Sequence, residues 1–177
     1  MFLDRDGVIN QAIVRDGKPY PPASLDQLVV LPGVPEALRL LKGLGYRLLV
    51  ATNQPDIARG TADAADVGRI NSILTETLEL DAIYVCPHDA ADACDCRKPK
   101  PGLLLQGARE FGVEMGRSFM VGDRWRDIEA GRAAGCRTFF IDYGYDERQP
   151  EHPDFVVDSL LQAAQQIAAL STTMATK

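Results

Sequence analysis

Short apolar runs alternate with stretches of helical periodicity along most of the chain. Phe2-Leu3 is a stub of strand that runs straight into Asp4-Arg5-Asp6-Gly7-Val8-Ile9-Asn10. Ala37, Leu38, Leu40, Leu41 and Leu44 recur at helical spacing within 34–44, with Gly45 as the stop, which predicts a helix. Residues 46–51 read as a buried strand closed by Thr52-Asn53-Gln54-Pro55. A second helix is predicted over 63–80 and a strand over 82–85 that delivers Cys86. Pro101 suits a first helical turn, so a third helix is expected from there to Phe111. A strand over 118–121 ends at Gly122-Asp123, a helix over 126–134 is closed by Gly135, and 137–141 is another strand. Residues 155–157 form a candidate edge strand. Ser159 caps a last helix predicted to Leu170, and 171–177 read as a frayed tail.

One stretch breaks this rhythm. Residues 11–32 hold Pro19, Pro21, Pro22 and Pro32 and little periodicity, so they read as a flap over the sheet end. No repeat or linker divides the chain, and residues 1–177 are expected to form one domain. Strand–helix alternation implies a three-layer Rossmann-like α/β fold, a mostly parallel sheet with helices on both faces. Such folds bind ligands at the carboxyl ends of their strands. Asp4 and Asp6, Thr52 and Asn53, Arg97 and Lys98, and Asp123 and Asp127 all stand at such ends.

Composition narrows the partners. With 46% hydrophobic and 25% charged residues the chain is an ordinary globular mix, not a disordered or coiled-coil one. Nineteen basic against 25 acidic residues give a net charge of −6, which argues against a long polyanion such as nucleic acid. No apolar run approaches the roughly 18 residues of a membrane span, and no basic-then-apolar leader marks secretion. A cytoplasmic protein with no membrane partner is expected. Oligomeric state stays open, a monomer being compatible with the sequence.

The residues at the strand ends are equipment for phosphoryl transfer. Asp4 and Asp6 supply a carboxylate for a hard cation and one for the leaving group, with Gly7 letting the backbone turn between them and the next segment. Asp123 adds a third oxygen ligand, Thr52 a hydroxyl donor and Lys98 a point charge. Asp4-Arg-Asp-Gly-Val, Thr52-Asn53, Lys98-Pro99 and Gly122-Asp123-Arg-Trp-Arg-Asp127 together resemble, in order, the four motifs of the haloacid dehalogenase superfamily of phosphohydrolases. A Rossmann-like domain whose acidic residues only solvate a sheet edge is the bland alternative, and it leaves the ordered spacing unexplained.

The resemblance implies roles. Asp4 would attack phosphorus and form an aspartyl-phosphate, while Asp6 would protonate the leaving alkoxide and then activate water. Magnesium would be held by the Asp4 carboxylate, the Asp6 backbone carbonyl and Asp123, and Thr52 and Lys98 would hold the phosphoryl group. Asp127 would orient the metal shell or simply cap its helix. Neither the interval from Asp6 to Thr52 nor that from Thr52 to Lys98 has room for the large cap domain that many members insert there.

Cys86-Pro-His88 followed by Cys94-Asp-Cys96 immediately precedes Arg97-Lys98, and three thiolates with one imidazole are the ligand set of a closed structural zinc site. A Cys86–Cys94 disulfide and a catalytic zinc are the rivals; cytosolic thiols stay reduced, and four protein ligands leave no open position. Cys136 is expected to be a buried small hydrophobe.

This loop, with Asp-Arg-Asp-Gly-Val-Ile-Asn and Ile57-Ala58-Arg59-Gly60, is similar to the subfamily IIIA branch that holds the heptose-bisphosphate and histidinol-phosphate phosphatases. By that resemblance Asn53, Arg97 and Arg124 would contact a small phosphorylated substrate, a sugar phosphate first and histidinol phosphate second. A non-catalytic accessory domain would be marked by a lost motif residue, and none is lost. Pro55 and Trp125-Arg126 depart from the branch's pattern near the site mouth. Arg59, the flap residues Arg15, Lys18 and Tyr20, and Trp125 are each as open to a solvent or packing role as to substrate contact. The first strand is short enough that an earlier natural start is also open.

Overall fold

A computed structural model describes residues 1–175. Six strands form one parallel sheet: β1 (Phe2–Leu3), β4 (Leu49–Asn53), β5 (Ala82–Cys86), β6 (Phe119–Gly122), β7 (Arg137–Ile141) and β8 (Phe155–Val157). Their order is β5-β4-β1-β6-β7-β8, with Phe2 opposite both Leu49 and Met120. The chain thus enters at the middle of the sheet and winds first one way, then the other. This is the switch point where open α/β sheets leave a crevice.

Alternation along the strands separates two cores. Leu3, Leu48, Val50 and Val121 face a layer built from α1 (Val34–Gly43), α2 (Ala64–Leu78) and α5 (Leu160–Ala175), which contribute Leu38, Leu41, Ile70, Leu74 and Ile167. Phe2, Leu49, Ala51 and Met120 face the opposite layer, with Leu103 and Leu104 of α3 (Gly102–Phe111) and Ala134 of α4 (Trp125–Ala134). Each fully buried Leu or Phe contributes about 1.5–3 kcal/mol. Both residues of β1 are fully buried, so even a two-residue strand is held firmly. Among the described residues no helix is long and apolar enough to cross a membrane.

The expected elements form, with three differences. Residues 46–48 stay outside the sheet: Tyr46 closes the α1 turn through Leu41, and the Leu48 N–H donates to the Asp81 carboxylate rather than to a strand. β4 therefore starts at Leu49 and carries Thr52 and Asn53 as its last residues. The helix α5 runs to Ala175, beyond the expected end at Leu170, because nothing in Ser-Thr-Thr-Met-Ala breaks it; Thr176 and Lys177 lie outside the described residues.

The flap also holds more order than its prolines suggest. β2 (Ile13–Arg15) and β3 (Lys18–Tyr20) pair antiparallel around Asp16-Gly17, both with positive φ (48° and 71°). An Asp-Gly pair is the favoured two-residue hairpin turn. No cap domain is inserted among the described residues, and only this hairpin stands over the sheet end.

Helix α4 comes unusually close to the sheet at Gly131, where a Cβ would lie 2.7 Å from Met120 Cβ and 2.9 Å from Thr138 Cγ2. Gly131→Ala is expected to destabilise the protein by about 1–2 kcal/mol, since overpacking outweighs the gain in helix propensity. Urea denaturation measures it as a lower midpoint at unchanged slope.

Candidate active site

Backbone geometry aims the first two aspartates. The Asp4 N–H donates to Val121 O (2.9 Å), so the residue leaves the sheet while still tied to β6. The Arg5 carbonyl then gathers the N–H groups of Ile9 and Asn10 (2.9 and 3.1 Å), turning the chain back on itself. Gly7 makes the turn at φ 88°, and a Cβ there would stand 1.9 Å from Asp123 Oδ2. Backbone conformation and space both demand glycine at this position.

Lys98 is the centre of the site. Its ammonium is 2.8 Å from Asp4 Oδ1 and 2.6 Å from Asp127 Oδ1, and it donates to Ala51 O at 2.7 Å. Only 2% of the residue is exposed. Burial opposes the charge, but Asp127 and Asp4 outweigh it and hold the lysine pKa above its ordinary value. Its backbone is fixed as well: Asn53 Nδ2 donates to Lys98 O and Lys98 N donates to Asn53 Oδ1, both at 3.0 Å. Asn53, expected to touch substrate, therefore spends its amide on positioning the lysine.

Three buried carboxylates, Asp4, Asp123 and Asp127, offer oxygens within 4.8 Å of one another against this single lysine. Asp123 has both oxygens buried without a hydrogen-bond donor among the described residues. Burial, then the charge of Asp127, raises the Asp4 pKa to about 7; burial and Asp4 raise that of Asp123 well above the usual carboxylate range. A deficit of positive charge beside orphaned carboxylate oxygens fits a hard divalent cation.

Asp6 is placed differently. Arg5, fully buried, donates from Nε and Nη2 to its two oxygens (3.2 and 3.1 Å), Asn10 Nδ2 adds a bond at 2.9 Å and Gln54 Nε2 one at 2.7 Å. Gln54 also donates to Thr52 Oγ1 (3.0 Å), linking the second strand end to the first. A small cavity of about 50 Å³ opens onto Asp4, Asp6, Thr52, Asn53, Lys98 and Asp127. Pro19, Tyr20 and Pro21 of the flap, with Arg124 and Arg126, form its remaining walls.

The Cys–His loop forms its own cluster. Sγ of Cys86, Cys94 and Cys96 and Nδ1 of His88 converge, with spacings from 3.2 Å (Cys96–Cys86) to 3.8 Å (Cys86–His88). Metal–sulfur bonds of about 2.3 Å give a tetrahedron with edges of about 3.8 Å, so the donor set fits zinc. Cys86 and Cys94 are 3.7 Å apart and unbonded, and Cys136 is buried in the core as expected. Arg59 clamps the loop through two 2.8 Å bonds to Asp89, and Arg97 Nη1 donates to His88 O (3.0 Å). Arg97 thus braces the loop and does not line the cavity.

The sequence profile of the haloacid dehalogenase-like hydrolases matches residues 6–135. The chain belongs to that family. The Pseudomonas aeruginosa D-glycero-beta-D-manno-heptose-1,7-bisphosphate 7-phosphatase is 40% identical over 149 residues, 81% of each chain. The Escherichia coli K12 protein of the same name is 36% identical over 182 residues, 94% of this chain and 92% of that one. The crystal structure of the D,D-heptose 1,7-bisphosphate phosphatase from B. bronchiseptica, complexed with magnesium and phosphate, superposes with a TM-score of 0.78 at 32% identity. It covers 96% of this chain and 97% of that one.

In this hydrolase the structure adds partners that motif spacing did not single out. Arg5, Asn10 and Gln54 grip Asp6, and Asp127 caps its helix, Oδ2 accepting from Arg124 N (3.0 Å), while its Oδ1 meets Lys98. Arg124 is bound through its guanidinium to Glu147. Trp125 does not line the cavity; Arg126 and Arg148 stand over its ring at 4.4 and 4.5 Å.

Two outcomes follow from the clusters. A carboxyl whose folded pKa is raised loses stability as pH climbs from its unfolded value near 4 towards 7, and a bound cation removes that loss. Saturating magnesium is therefore expected to raise Tm more at pH 8 than at pH 5.5, read by scanning calorimetry. Treatment with a chelator that empties the cysteine–histidine cluster is expected to lower Tm by at least about 5 °C, with the released metal identified and counted by elemental analysis.

Proposed function

We propose that the protein is a magnesium-dependent phosphatase that hydrolyses the 7-phosphate of D-glycero-β-D-manno-heptose 1,7-bisphosphate. The observation that carries this reading is the buried set of Asp4, Asp123 and Asp127 around one lysine, in a chain whose relatives bear that enzyme's name. Asp4 Oδ1 is held by Arg5 N and Lys98 Nζ, both at 2.8 Å, so Oδ2 is the oxygen left to attack phosphorus. The new O–P bond forms as the P–O bond to the sugar breaks, giving an aspartyl-phosphate. Asp6 delivers a proton to the departing alkoxide and later takes one from the water that cleaves the intermediate, which restores both aspartates. The Thr52 hydroxyl and the Lys98 ammonium stabilise the transferring phosphoryl oxygens.

Magnesium, held by the Asp4 carboxylate, the Asp6 backbone carbonyl and Asp123, would supply positive charge for the developing phosphoryl charge. Zinc in the Cys86, His88, Cys94 and Cys96 cluster is a structural ion that places Arg97 and Lys98. A cytoplasmic location suits thiol ligands that must stay reduced.

A steady-state comparison of the heptose bisphosphate with histidinol phosphate tests the substrate. A higher kcat/KM for histidinol phosphate would overturn the sugar assignment. Asp4→Asn is expected to lower kcat by at least about 10⁴-fold while keeping the native circular dichroism spectrum, and residual turnover of a few per cent refutes Asp4 as the nucleophile.

A further inference from the structure

Asp6 is set in place by its own chain neighbour. Arg5 donates from Nε and Nη2 to the two carboxylate oxygens (3.2 and 3.1 Å), and a planar guanidinium bound in this way fixes the plane of the carboxylate as well as its distance. Consecutive residues cannot by themselves locate one another in the fold, because both side chains can turn together. The reference has to come from elsewhere in the chain. The remaining guanidinium nitrogen supplies it: Nη1 donates to Asn71 Oδ1 at 2.8 Å. Arg5 is fully buried, and among the described residues Asp6 and Asn71 are the side chains that its guanidinium bonds.

Asn71 stands near the middle of α2, where asparagine is a poor helix former whose amide competes for backbone hydrogen bonds. Its oxygen does not turn back to its own helix but reaches a residue 66 positions away, in the turn after β1. The helix is a firm base for that reach. Val67, Ile70 and Leu74 are buried on its inner face, and Asp63 caps its start through Ala65 N. Asn71, four residues after Val67, lies beside this stripe and is itself partly buried. It belongs to none of the four ordered motifs and does not line the cavity. A residue placed against helix propensity and spent on a buried cation is there for what that cation holds.

Asn10 and Gln54 also bond Asp6, but each with one N–H to one oxygen; only Arg5 spans both. We infer that Asn71 is a positioning residue for the acid step: through Arg5 it sets the direction in which the Asp6 carboxyl meets the oxygen of the leaving group. The inference rests on the reading of Asp6 as the acid that protonates the departing alkoxide, and it names the helix residue on which that alignment depends. Among the described residues the side chains of Asp4, Lys98 and Asp123 make no bond to Asn71 or to the Arg5 guanidinium, so the nucleophile and the other carboxylates stand apart from this chain of contacts.

A series of aryl phosphates from 4-nitrophenyl to phenyl phosphate tests it on the magnesium-loaded protein; slow turnover suffices, since only ratios between esters enter. Nitrophenolate leaves readily as the anion, whereas phenolate and a sugar alkoxide need a proton, so kcat/KM against leaving-group basicity reads the acid. Asp6→Asn is the reference for a lost acid and should steepen that dependence most. Asn71→Ala is expected to steepen it in the same sense, lowering kcat/KM about 10-fold for phenyl phosphate and less than about twofold for 4-nitrophenyl phosphate, with magnesium affinity by calorimetry unchanged. Asn71→Asp, which keeps an oxygen at the same reach, should restore the wild-type slope. Ser72→Ala, which loses a hydroxyl bonded to Gly68 O of the same helix, should not alter it. Should Asn71→Ala fail to fold, Asn71→Ser, too short to reach Arg5 directly, carries the same comparison. A uniform loss across the series, or a wild-type slope in the variant, would overturn the inference. If Asp6→Asn leaves the slope unchanged, the acid assignment of Asp6 falls and the role of Asn71 with it. If Asp6→Asn steepens the slope and Asn71→Ala does not, the proposed function stands and only the role of Asn71 falls.

Discussion

A single buried ammonium group organises this protein. Lys98 joins β1 through Asp4, β4 through the Ala51 carbonyl and α4 through Asp127, so three separate parts of the fold meet on one charge. Taking an ion out of water is expensive, and the arrangement survives because every proton of the lysine has an acceptor. The balance is deliberately incomplete on the other side. Asp123 is buried and makes no hydrogen bond among the described residues, and three carboxylates outnumber the lysine, a set of hard oxygen donors suited to a divalent ion.

Much of this was legible in the sequence because strand ends in a parallel sheet point the same way. Once the alternation fixes where each strand stops, Asp4, Thr52 and Asp123 stand at one edge of the sheet, and Lys98 comes to them from the loop that precedes α3. The cysteine–histidine cluster was legible for a similar reason: Cys86, His88, Cys94 and Cys96 lie within eleven residues, which leaves few ways to keep them apart. What stayed hidden depends on side-chain direction. Asn53 lines the cavity and also bonds the Lys98 backbone, and Arg97 turns to the His88 carbonyl. Gln54 and Asn10 reach Asp6 across turns whose shape no spacing encodes. The hairpin in the flap carried a readable signal in Asp16-Gly17, masked by the prolines around it.

The site divides into a floor and a rim with different physics. The floor, made by strand ends and Lys98, is buried and backed by the two cores beneath it. The rim is made of Pro19, Tyr20 and Pro21 of the flap and of Arg124 and Arg126 at the start of α4. Bond cleavage needs the first kind of surroundings, since fixed dipoles and desolvated charge act most strongly there. Discrimination among substrates needs only shape and charge at the second.

The pair of bonds between the Asn53 amide and the Lys98 backbone copies the ladder of a neighbouring strand at the point where the sheet has ended. Mechanically it is a fixed post. It ties the end of the cysteine–histidine loop to the last residue of β4, so the fold of that loop and the position of the buried ammonium are set together.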